Sequence, residues 1–507
     1  MPLSRRAFLR ATGAAVAAAG LPALAACGAP AAPATSRLTV AFAGLGPLDV
    51  PDPHVVWRPV DRARAAAVAD TLLVWDQEMR PGPHLAASVG PDRTGTRWRI
   101  RLREVIAHDG RPLTPADVLA SFRRITDPAT RGTAAALLSH VDLDASRAVS
   151  PTELEIVLGT PDFLFPLVLG APGTGIVRGG RGDAPVGTGA FRVAGRDRAV
   201  LTRHDAHWLG PAHHRELEFL VDDDEENRYR ALLDGHVAYA HDLFPHSVRR
   251  ILGRTGTGVV STPGSATRFL EVVGTRRRSG PLDDPRLREA LRLGIDRDEL
   301  VRTVLLDLGT PGDDLFGPGL AHHLAGVPPV VRDVGRAREL VTAAGVRDTT
   351  VPLLLDPFDP LSRRAAEVLA EQLEEVGLRV EPREPAPPDA APVPGIRFRR
   401  APAQPIPLYL RAAAQGGDPD PTVDDAGSGR RVTARPDVAG LLATAAATPD
   451  ERARDGALRR AQALLRDAAT VWSDGAEHIG VTAGLSGVRP ARPDTGTWAR
   501  FHRVRLG

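Results

Sequence analysis

Residues 98–118 read Trp-Arg-Ile-Arg-Leu-Arg-Glu-Val-Ile-Ala-His-Asp-Gly-Arg-Pro-Leu-Thr-Pro-Ala-Asp-Val, and this stretch decides the fold. Its first residues alternate apolar and basic side chains, which predicts an antiparallel strand with one face in water. Towards its end, Thr114 precedes a proline and Asp117 follows, which is the pattern of a capped helix start. His108 and Asp109 fall in the turn between the two. The stretch therefore predicts a strand, a turn and a helix in close succession.

Four further blocks accompany this stretch along the chain. They are Pro83–Ser88 (Pro-His-Leu-Ala-Ala-Ser), Pro185–Phe191 (Pro-Val-Gly-Thr-Gly-Ala-Phe), Arg286–Arg297 (Arg-Leu-Arg-Glu-Ala-Leu, ending in Ile-Asp-Arg) and Glu371–Leu378 (Glu-Gln-Leu-Glu-Glu-Val-Gly-Leu). Together with residues 98–118 they resemble family 5 of the extracytoplasmic solute-binding proteins, the oligopeptide, dipeptide and nickel class that serves ABC transporters. Within the first stretch the resemblance is carried by Trp98, Leu102, Arg103, His108, Asp109, Gly110, Pro112, Leu113, Thr114, Asp117 and Val118.

The resemblance implies a two-lobed α/β fold of the type II periplasmic-binding-protein (Venus-flytrap) kind, with mixed sheets and a hinge between the lobes. Helical and strand patterns alternate through both halves of the chain, which independently indicates the α/β class. We expect lobe I over residues 38–273 with a return over 481–507, and lobe II over 274–480. The Pro-rich residues 381–407 are predicted to be irregular.

The N-terminus is predicted to direct export and to carry a lipid. Within residues 1–26, the run that begins at Ser4 (Ser-Arg-Arg-Ala-Phe-Leu) resembles a twin-arginine signal, and an Ala-rich apolar run follows it. Leu24–Cys27 resembles a bacterial lipobox, which implies lipidation of Cys27, and the chain has 1 cysteine in all. Residues 27–37 then form a lipidated tether. The expected location is outside the cytoplasm, with the lipid holding the protein to the outer face of the cell membrane.

The composition excludes several classes of protein. With 43% hydrophobic and 25% charged residues the chain is globular, and all 64 of its basic residues are arginines. The three arginines of residues 1–26 have no acidic partner there, so their removal takes the formal charge from +2 to −1. A nearly neutral protein lacks the excess positive charge with which proteins bind the phosphates of nucleic acid. One cysteine also excludes disulfides and Cys-ligated zinc.

The candidate ligand-binding residues come from one departure from the family pattern. The resemblance implies a lobe II segment Trp-x-Ala-Asp-Tyr-x-x-Pro, whose aspartate pairs with the amine of a bound peptide. We match it to residues 414–421, where Gly417 replaces the aspartate and Ala414 the tryptophan. Asp418 is then either a pocket residue or a turn carboxylate. Arg411 is the nearby candidate for pairing with a ligand carboxylate.

Other motifs are open to two interpretations. Trp57 either lines the cleft or packs as an ordinary aromatic residue. Four histidines, His204, His207, His213 and His214, suggest a metal cluster, but a solvated loop is the better interpretation, and no metal site is predicted. The pair His108 and Asp109 lacks a neighbouring nucleophile, so no catalytic residue and no cofactor are predicted.

The predicted function is capture of a peptide-like or related small solute for the permease subunits of an ABC importer. The protein is expected to act as a monomer and not as an enzyme. The alternative is a diverged binding lipoprotein with a sensory or structural role in the cell envelope and no transported ligand. The sequence leaves the chemical class of the solute open between peptide, metal chelate, sugar and others.

Overall fold

The structure is a computed structural model. It describes residues 37–44, 46–179, 184–193, 195, 197–274, 280–346, 350–356, 359–384, 393–415, 431–432, 435–466, 469–488 and 500–506. The chain divides into two units, Met1–Ala34 and Thr35–Gly507. The first unit, with the predicted signal and Cys27, lies outside the described residues.

Helices and strands alternate along the second unit. The helices are α1 (Pro59–Val68), α2 (Pro115–Thr126), α3 (Phe165–Val168), α4 (Glu225–Leu233), α5 (Pro245–Ile251), α6 (Pro285–Gly294), α7 (Arg297–Val304), α8 (Val334–Ala344), α9 (Ser362–Glu375), α10 (Ile406–Gln415), α11 (Pro436–Ala447) and α12 (Glu451–Leu465). The strands are β1 (Arg37–Phe42), β2 (Leu73–Trp75), β3 (Pro81–Pro83), β4 (Ala86–Pro91), β5 (Arg97–Leu102), β6 (Val141–Ala148), β7 (Glu153–Leu158), β8 (Phe191–Arg192), β9 (Val200–Arg203), β10 (Glu216–Val221), β11 (Tyr239–Ala240), β12 (Thr257–Gly274), β13 (Gly309–Pro311), β14 (Thr350–Leu354), β15 (Arg379–Arg383), β16 (Gly395–Pro402), β17 (Arg431–Val432), β18 (Ala469–Thr482), β19 (Leu485–Ser486) and β20 (Arg505–Leu506). Among these helices, none combines the length and the apolar character that a membrane crossing requires.

The signature stretch folds as its sequence predicts. Strand β5 alternates exposed and buried residues, and Trp98 on its buried face is 3% exposed. Helix α2 begins after Thr114, whose backbone N–H and hydroxyl both donate to the Asp117 carboxylate, at 2.7 and 2.8 Å. Strand β5 lies in a four-stranded antiparallel sheet of order β4-β5-β7-β6, and α2 packs on this sheet.

The large sheet is built around two long antiparallel strands. Its order is β15-β14-β16-β12-β18-β11-β1-β10-β9-β8, with β13 and β17 off this path. Strands β12 and β18 pair from Thr257 opposite Thr482 to Glu271 opposite Ala469. One half-sheet, β11-β1-β10, attaches to the Thr482 end of β18, and the other, β16-β14-β15, attaches to the far end of β12. The two half-sheets therefore share β12 and β18.

The carboxyl ends of the two half-sheets converge on the middle of the shared strands. Strand β11 lies antiparallel to β18, with Ala240 opposite Gly480, so the chain leaves β11 towards the middle of β18. Strand β16 ends at Pro402, opposite Ala266 in the middle of β12. Open α/β sheets bind ligands at the carboxyl ends of their strands. The topology thus places a candidate site at the middle of β12 and β18.

Three of the hydrophobic clusters support these sheets. One lies on the first half-sheet and contains Phe42, and a second lies on the other half-sheet and contains Leu353. A third joins the four-stranded sheet to helices α10–α12, with Phe122 and Leu458 among its members. The apolar core is therefore continuous from the α2 region into residues predicted to belong to lobe II.

Residues 381–407 are not irregular throughout, so that prediction is wrong. Strand β16 lies within this range and is a central strand of the large sheet, paired with β12 along its whole length. Both of its faces are buried. One carries Ile396 and Phe398, and the other carries Arg397 and Arg399, which are 7% and 6% exposed. The predicted lobe boundaries fall one residue before the end of β12 and within β18, and they stay predictions.

Candidate functional site

Eight charged or titratable residues meet where the half-sheets converge, and we call them the central cluster. They are His241 and Asp242 after β11, Arg268 on β12, Asp356 and Asp359 after β14, Arg400 on β16, and Glu477 and His478 on β18. Six of them are buried, and the side chains of Arg400 and Asp242 are 14% and 23% exposed. Since five elements, drawn from both half-sheets and the two shared strands, contribute, the cluster is a product of the long-range topology.

The arginines of the central cluster are each paired with an aspartate. Arg400 holds Asp242 through two bonds, Nη1 to Oδ2 at 2.5 Å and Nη2 to Oδ1 at 2.7 Å. Arg268 Nε donates to Asp359 Oδ2 at 2.6 Å. Paired bonds of this kind are among the strongest polar contacts in proteins. The pair of Arg400 and Asp242 fastens the end of β11 to β16 across the two shared strands.

Backbone strain and electrostatics both set Asp242 apart. Its φ is 53°, in the left-handed region that residues with a side chain rarely occupy. Burial alone would raise the pKa of Asp242, but the charge of Arg400 and its hydrogen bonds outweigh burial, and the pKa lies well below its usual range. The carboxylate is therefore ionised, and a strained backbone is maintained to present it to Arg400.

Burial keeps His478 neutral in this charged setting. Its Nδ1 lies 2.7 Å from the Ser261 hydroxyl on the neighbouring strand. Burial is the largest influence and lowers the pKa of His478 to about 4, although the nearby Asp242 acts in the opposite direction. The cluster therefore combines ionised carboxylates and guanidinium groups with a neutral imidazole at neutral pH.

A second polar site lies in the first half of the chain, beside a small cavity. The cavity has a volume of about 80 Å³, and its lining includes Val56 and Asp70. Asp70 accepts hydrogen bonds from His84 Nε2 at 2.8 Å, Thr188 Oγ1 at 2.9 Å and Trp208 Nε1 at 3.1 Å. Burial would raise the pKa of Asp70, but these donors hold it below its usual range. The Asp70 carboxylate thus has three donors, and it holds their side chains together beside the cavity.

The structure describes two of the four predicted ligand-binding residues, Trp57 and Arg411. Trp57 is half-buried in the loop that follows β1, next to the cavity-lining Val56. Arg411 on α10 has a carboxylate partner within the protein, since its Nη2 lies 3.2 Å from Asp162 Oδ2. Asp418 and Gly417 lie outside the described residues.

The contact between Arg411 and Asp162 is one of several between the region of the four-stranded sheet and helices α10–α12. Near it, the backbone N–H of Phe163 donates to the carbonyl of Ala446 at the end of α11, at 2.7 Å. Asp162 is itself buried, with its side chain 3% exposed. These bonds join the region of the four-stranded sheet to the α10–α12 region.

The histidine group is not a solvated loop, and that interpretation is wrong. His204, His207 and His214 are 7%, 6% and 0% exposed. The His204 ring packs edge-on against His108 at 4.9 Å, and His207 Nδ1 lies 2.9 Å from the carbonyl of Gly210. Within the described residues, the contacts of these histidines include a neighbouring ring and the backbone.

The central cluster was missed by sequence reasoning. Its hydrogen-bonded arginine–aspartate pairs join residues up to 158 positions apart, as for Arg400 and Asp242. One local signal exists, because residues 397–400 read Arg-Phe-Arg-Arg within a run that otherwise has strand character. Charged residues in a buried strand require buried partners, and such networks occur at functional sites.

Comparisons with known proteins agree on one family. The sequence model of the bacterial extracellular solute-binding proteins, family 5 Middle, matches residues 80–433. The glutathione-binding protein GsiB of Escherichia coli strain K12 is 25% identical over 345 residues, or 65% of this chain and 66% of GsiB. The chain thus matches just under two thirds of the length of this curated relative.

Solved structures share the fold over nearly the whole chain. The PBP AgaA from A. tumefaciens R10, in complex with agropinic acid, has a TM-score of 0.76 at 20% identity, covering 93% of this chain and 99% of that one. The ABC transporter-associated periplasmic binding protein DppA from Helicobacter pylori, in complex with the peptide STSA, also has a TM-score of 0.76, at 17% identity over 93% and 99% of the two chains. These likenesses confirm the predicted α/β fold of the type II periplasmic-binding-protein kind. Since the family match covers more than half of the sequence, the chain belongs to the bacterial extracellular solute-binding proteins of family 5.

Proposed function

We propose that this protein is a lipid-anchored solute-binding protein that captures a peptide-like or related small solute outside the cell and delivers it to an ABC importer. The observation that carries the proposal is the convergence of two half-sheets on the central cluster. Ligands of open α/β sheets bind at such carboxyl ends, and a site shared by two lobes closes by hinge motion. Family membership supports the same function.

A peptide-like solute is supported by two of the similar proteins. GsiB is named as glutathione-binding, and the DppA structure holds the peptide STSA. The central cluster offers both carboxylates and guanidinium groups, which suit the two charged ends of a peptide. Charge and topology therefore favour a zwitterionic solute over a neutral sugar.

Of the four predicted residues, Trp57, Asp418 and Gly417 remain proposed for ligand contact, with the central cluster added to them. Trp57 follows the carboxyl end of β1, where a half-buried indole can pack against a ligand. Arg411 already pairs with Asp162, so we assign it a part in holding the α10 region against the region of the four-stranded sheet.

Titration calorimetry with tripeptides, glutathione included, tests the proposal. We expect binding by the full chain, and we expect Trp57→Ala to weaken it at least about tenfold while the midpoint temperature of unfolding stays unchanged. Val331→Ala, at a residue that is 73% exposed, is the control and leaves affinity unchanged. Absence of binding across peptides, sugars and metal chelates would favour the alternative sensory or structural role.

Lipid anchoring has a separate test. The proposed lipid attaches to Cys27, so Cys27→Ala is expected to move the protein from the membrane fraction to the soluble extracytoplasmic fraction. Unchanged membrane association of this variant would contradict the anchor and leave the proposal of solute binding intact.

A further inference from the structure

Glu477 is a buried carboxylate without a hydrogen-bond donor. It lies on β18 at the centre of the cluster and is 6% exposed. The nearest charged nitrogens are His241 Nε2 at 3.8 Å and Arg400 Nη2 at 4.0 Å, both beyond the ~2.7–3.2 Å of a hydrogen bond. Within the described ranges, no donor contacts the carboxylate oxygens at hydrogen-bonding distance. A largely buried carboxylate without donors is destabilising, so a hydrogen-bond donor from a bound solute would stabilise it.

Glu271 on β12 shows the ordinary arrangement for comparison. It is also 6% exposed, and its Oε2 accepts a hydrogen bond from Arg397 Nη2 at 2.7 Å. The two glutamates thus match in residue type and burial, and both lie on the shared strands. They differ in that Glu271 has a close guanidinium partner and Glu477 has none.

His241 provides a second, independent observation at the same place. Its side chain is 1% exposed and stacks on Phe42, with ring centroids 4.8 Å apart and planes at 15°. Among the residues that the structure describes, neither of its ring nitrogens has a hydrogen-bond partner. Buried imidazole nitrogens are normally satisfied, so an unpartnered one beside Glu477 marks a gap in the polar network.

The arginines of the central cluster do not close this gap. Arg400 is committed to Asp242 through two bonds, and Arg268 to Asp359 through one. Glu477 is therefore left without a cation of its own, at the point where the two half-sheets converge. A solute group that carries N–H donors and a positive charge would supply both the hydrogen bonds and the counter-charge.

We propose that Glu477 and His241 form the subsite for a cationic group of the solute, a primary ammonium or a guanidinium. The cation donates to the Glu477 carboxylate, and a nitrogen of the His241 ring accepts a further hydrogen bond from it. This inference rests on the proposed function, because it assigns a charge to the solute of the same site.

Thermal unfolding of the ligand-free full chain tests whether the Glu477 carboxylate lacks a stabilising partner. Glu477→Gln removes a charge that has no close partner, so we expect its midpoint temperature to rise above that of the wild type. The matched variant Glu271→Gln breaks a buried ion pair, so its midpoint is expected to fall. A fall for Glu477→Gln similar to that for Glu271→Gln would overturn the proposal, because Glu477 would then be a structural partner.

Binding of simple cations tests the chemistry of the subsite. Methylammonium chloride is expected to raise the midpoint of the wild type above the value in sodium chloride of equal ionic strength, and to lose this effect in Glu477→Gln. Equal midpoints in the two salts would contradict an ammonium subsite and indicate that water completes the network.

Two tripeptides separate this inference from the proposed function. N-acetyl-triglycine differs from triglycine at its amino terminus, where an acetylated amide replaces the ammonium group. We expect only triglycine to bind, with at least about tenfold loss in Glu477→Gln. Equal binding of both would overturn the subsite while supporting peptide capture. If neither binds but methylammonium acts through Glu477, the subsite stands and the solute is not a peptide.

Discussion

At the scale of single residues, Arg178 ties the signature stretch together. Its Nε and Nη2 donate to the two oxygens of Asp117 at 2.7 and 2.8 Å, and its Nη1 donates to Asp109 at 2.9 Å. Burial would raise the pKa of Asp117, but Arg178 and the bonds from Thr114 lower it. One guanidinium thus joins the turn after β5 to the first turn of α2. These contacts give the stretch structural support.

Replacing Arg178 with methionine is predicted to destabilise the protein. The change leaves two carboxylates without their partner, and we expect the free energy of unfolding to fall by about 1–3 kcal/mol. The control Arg364→Met removes an exposed pair with Glu367 and is expected to cost less than about 0.5 kcal/mol. Urea unfolding measures both. Equal costs for the two variants would show that Arg178 is an ordinary surface arginine.

Local residue patterns could be predicted from the sequence, and long-range pairings could not. The cap at Thr114 follows from a spacing of three residues, which local chemistry fixes. By contrast, the pairing of Arg400 with Asp242 depends on where β16 and β11 end in the sheet. Nothing within a few residues of either side chain indicates its partner.

At the scale of elements, the turn at residues 187–189 packs directly on the end of α1. The backbone N–H of Gly189 donates to the carbonyl of Val68 at 3.0 Å, and Thr188 between the two glycines is fully buried. Gly187 N–H donates to His108 Nδ1 at 3.2 Å, so Nε2 carries the proton and donates to the carbonyl of Gly189 at 2.9 Å. Two blocks of the family signature therefore meet at one contact.

Gly189→Ala is predicted to disrupt this contact. A Cβ at Gly189 would lie 2.4 Å from the carbonyl oxygen of Ala67, a backbone atom that cannot turn aside. We expect a loss of at least about 2 kcal/mol in the free energy of unfolding. Gly440→Ala, in open space on α11, is the control and is expected to stabilise by about 0.5–1 kcal/mol. An unchanged Gly189→Ala variant would mean that the turn is not closely packed.

The elements differ in how far the sequence reveals them. Strand β5 and helix α2 each carry a complete periodic pattern with one buried face, so both could be predicted. Strand β16 could not, because Ile396 and Phe398 alternate with arginines that are also buried, and prolines stand on both sides of this short run. A strand that buries charged side chains cannot be told from a polar loop in the sequence until the partners of those side chains are known.

At the scale of the whole molecule, buried histidines couple stability to pH. Burial is the largest influence on His54, His108 and His478, and it lowers the pKa of each from 6.5 to about 4. They are therefore neutral in the folded protein at pH 7. On unfolding they regain a pKa near 6.5, so unfolding takes up protons between pH 6.5 and about 4.

The free energy of unfolding is accordingly predicted to fall as the pH decreases from 6.5 towards 4. Each histidine contributes up to about 1.4 kcal/mol per pH unit within this window. The aspartates with lowered pKa, such as Asp117, add their loss only below pH 3.8. Thermal unfolding at pH 7, 6 and 5 measures the slope, which His108→Gln should reduce. A midpoint that is constant from pH 7 to pH 5 would contradict this account.

Native mass spectrometry tests the central claim, solute capture, most directly. The full chain is purified gently from its own host, without dialysis, and its mass is compared before and after denaturation. The account predicts an added small mass in the native spectrum that is lost on denaturation and that carries an amine or guanidine. A single ligand-free mass, with no change in unfolding temperature on adding peptides, would contradict a working solute-binding protein.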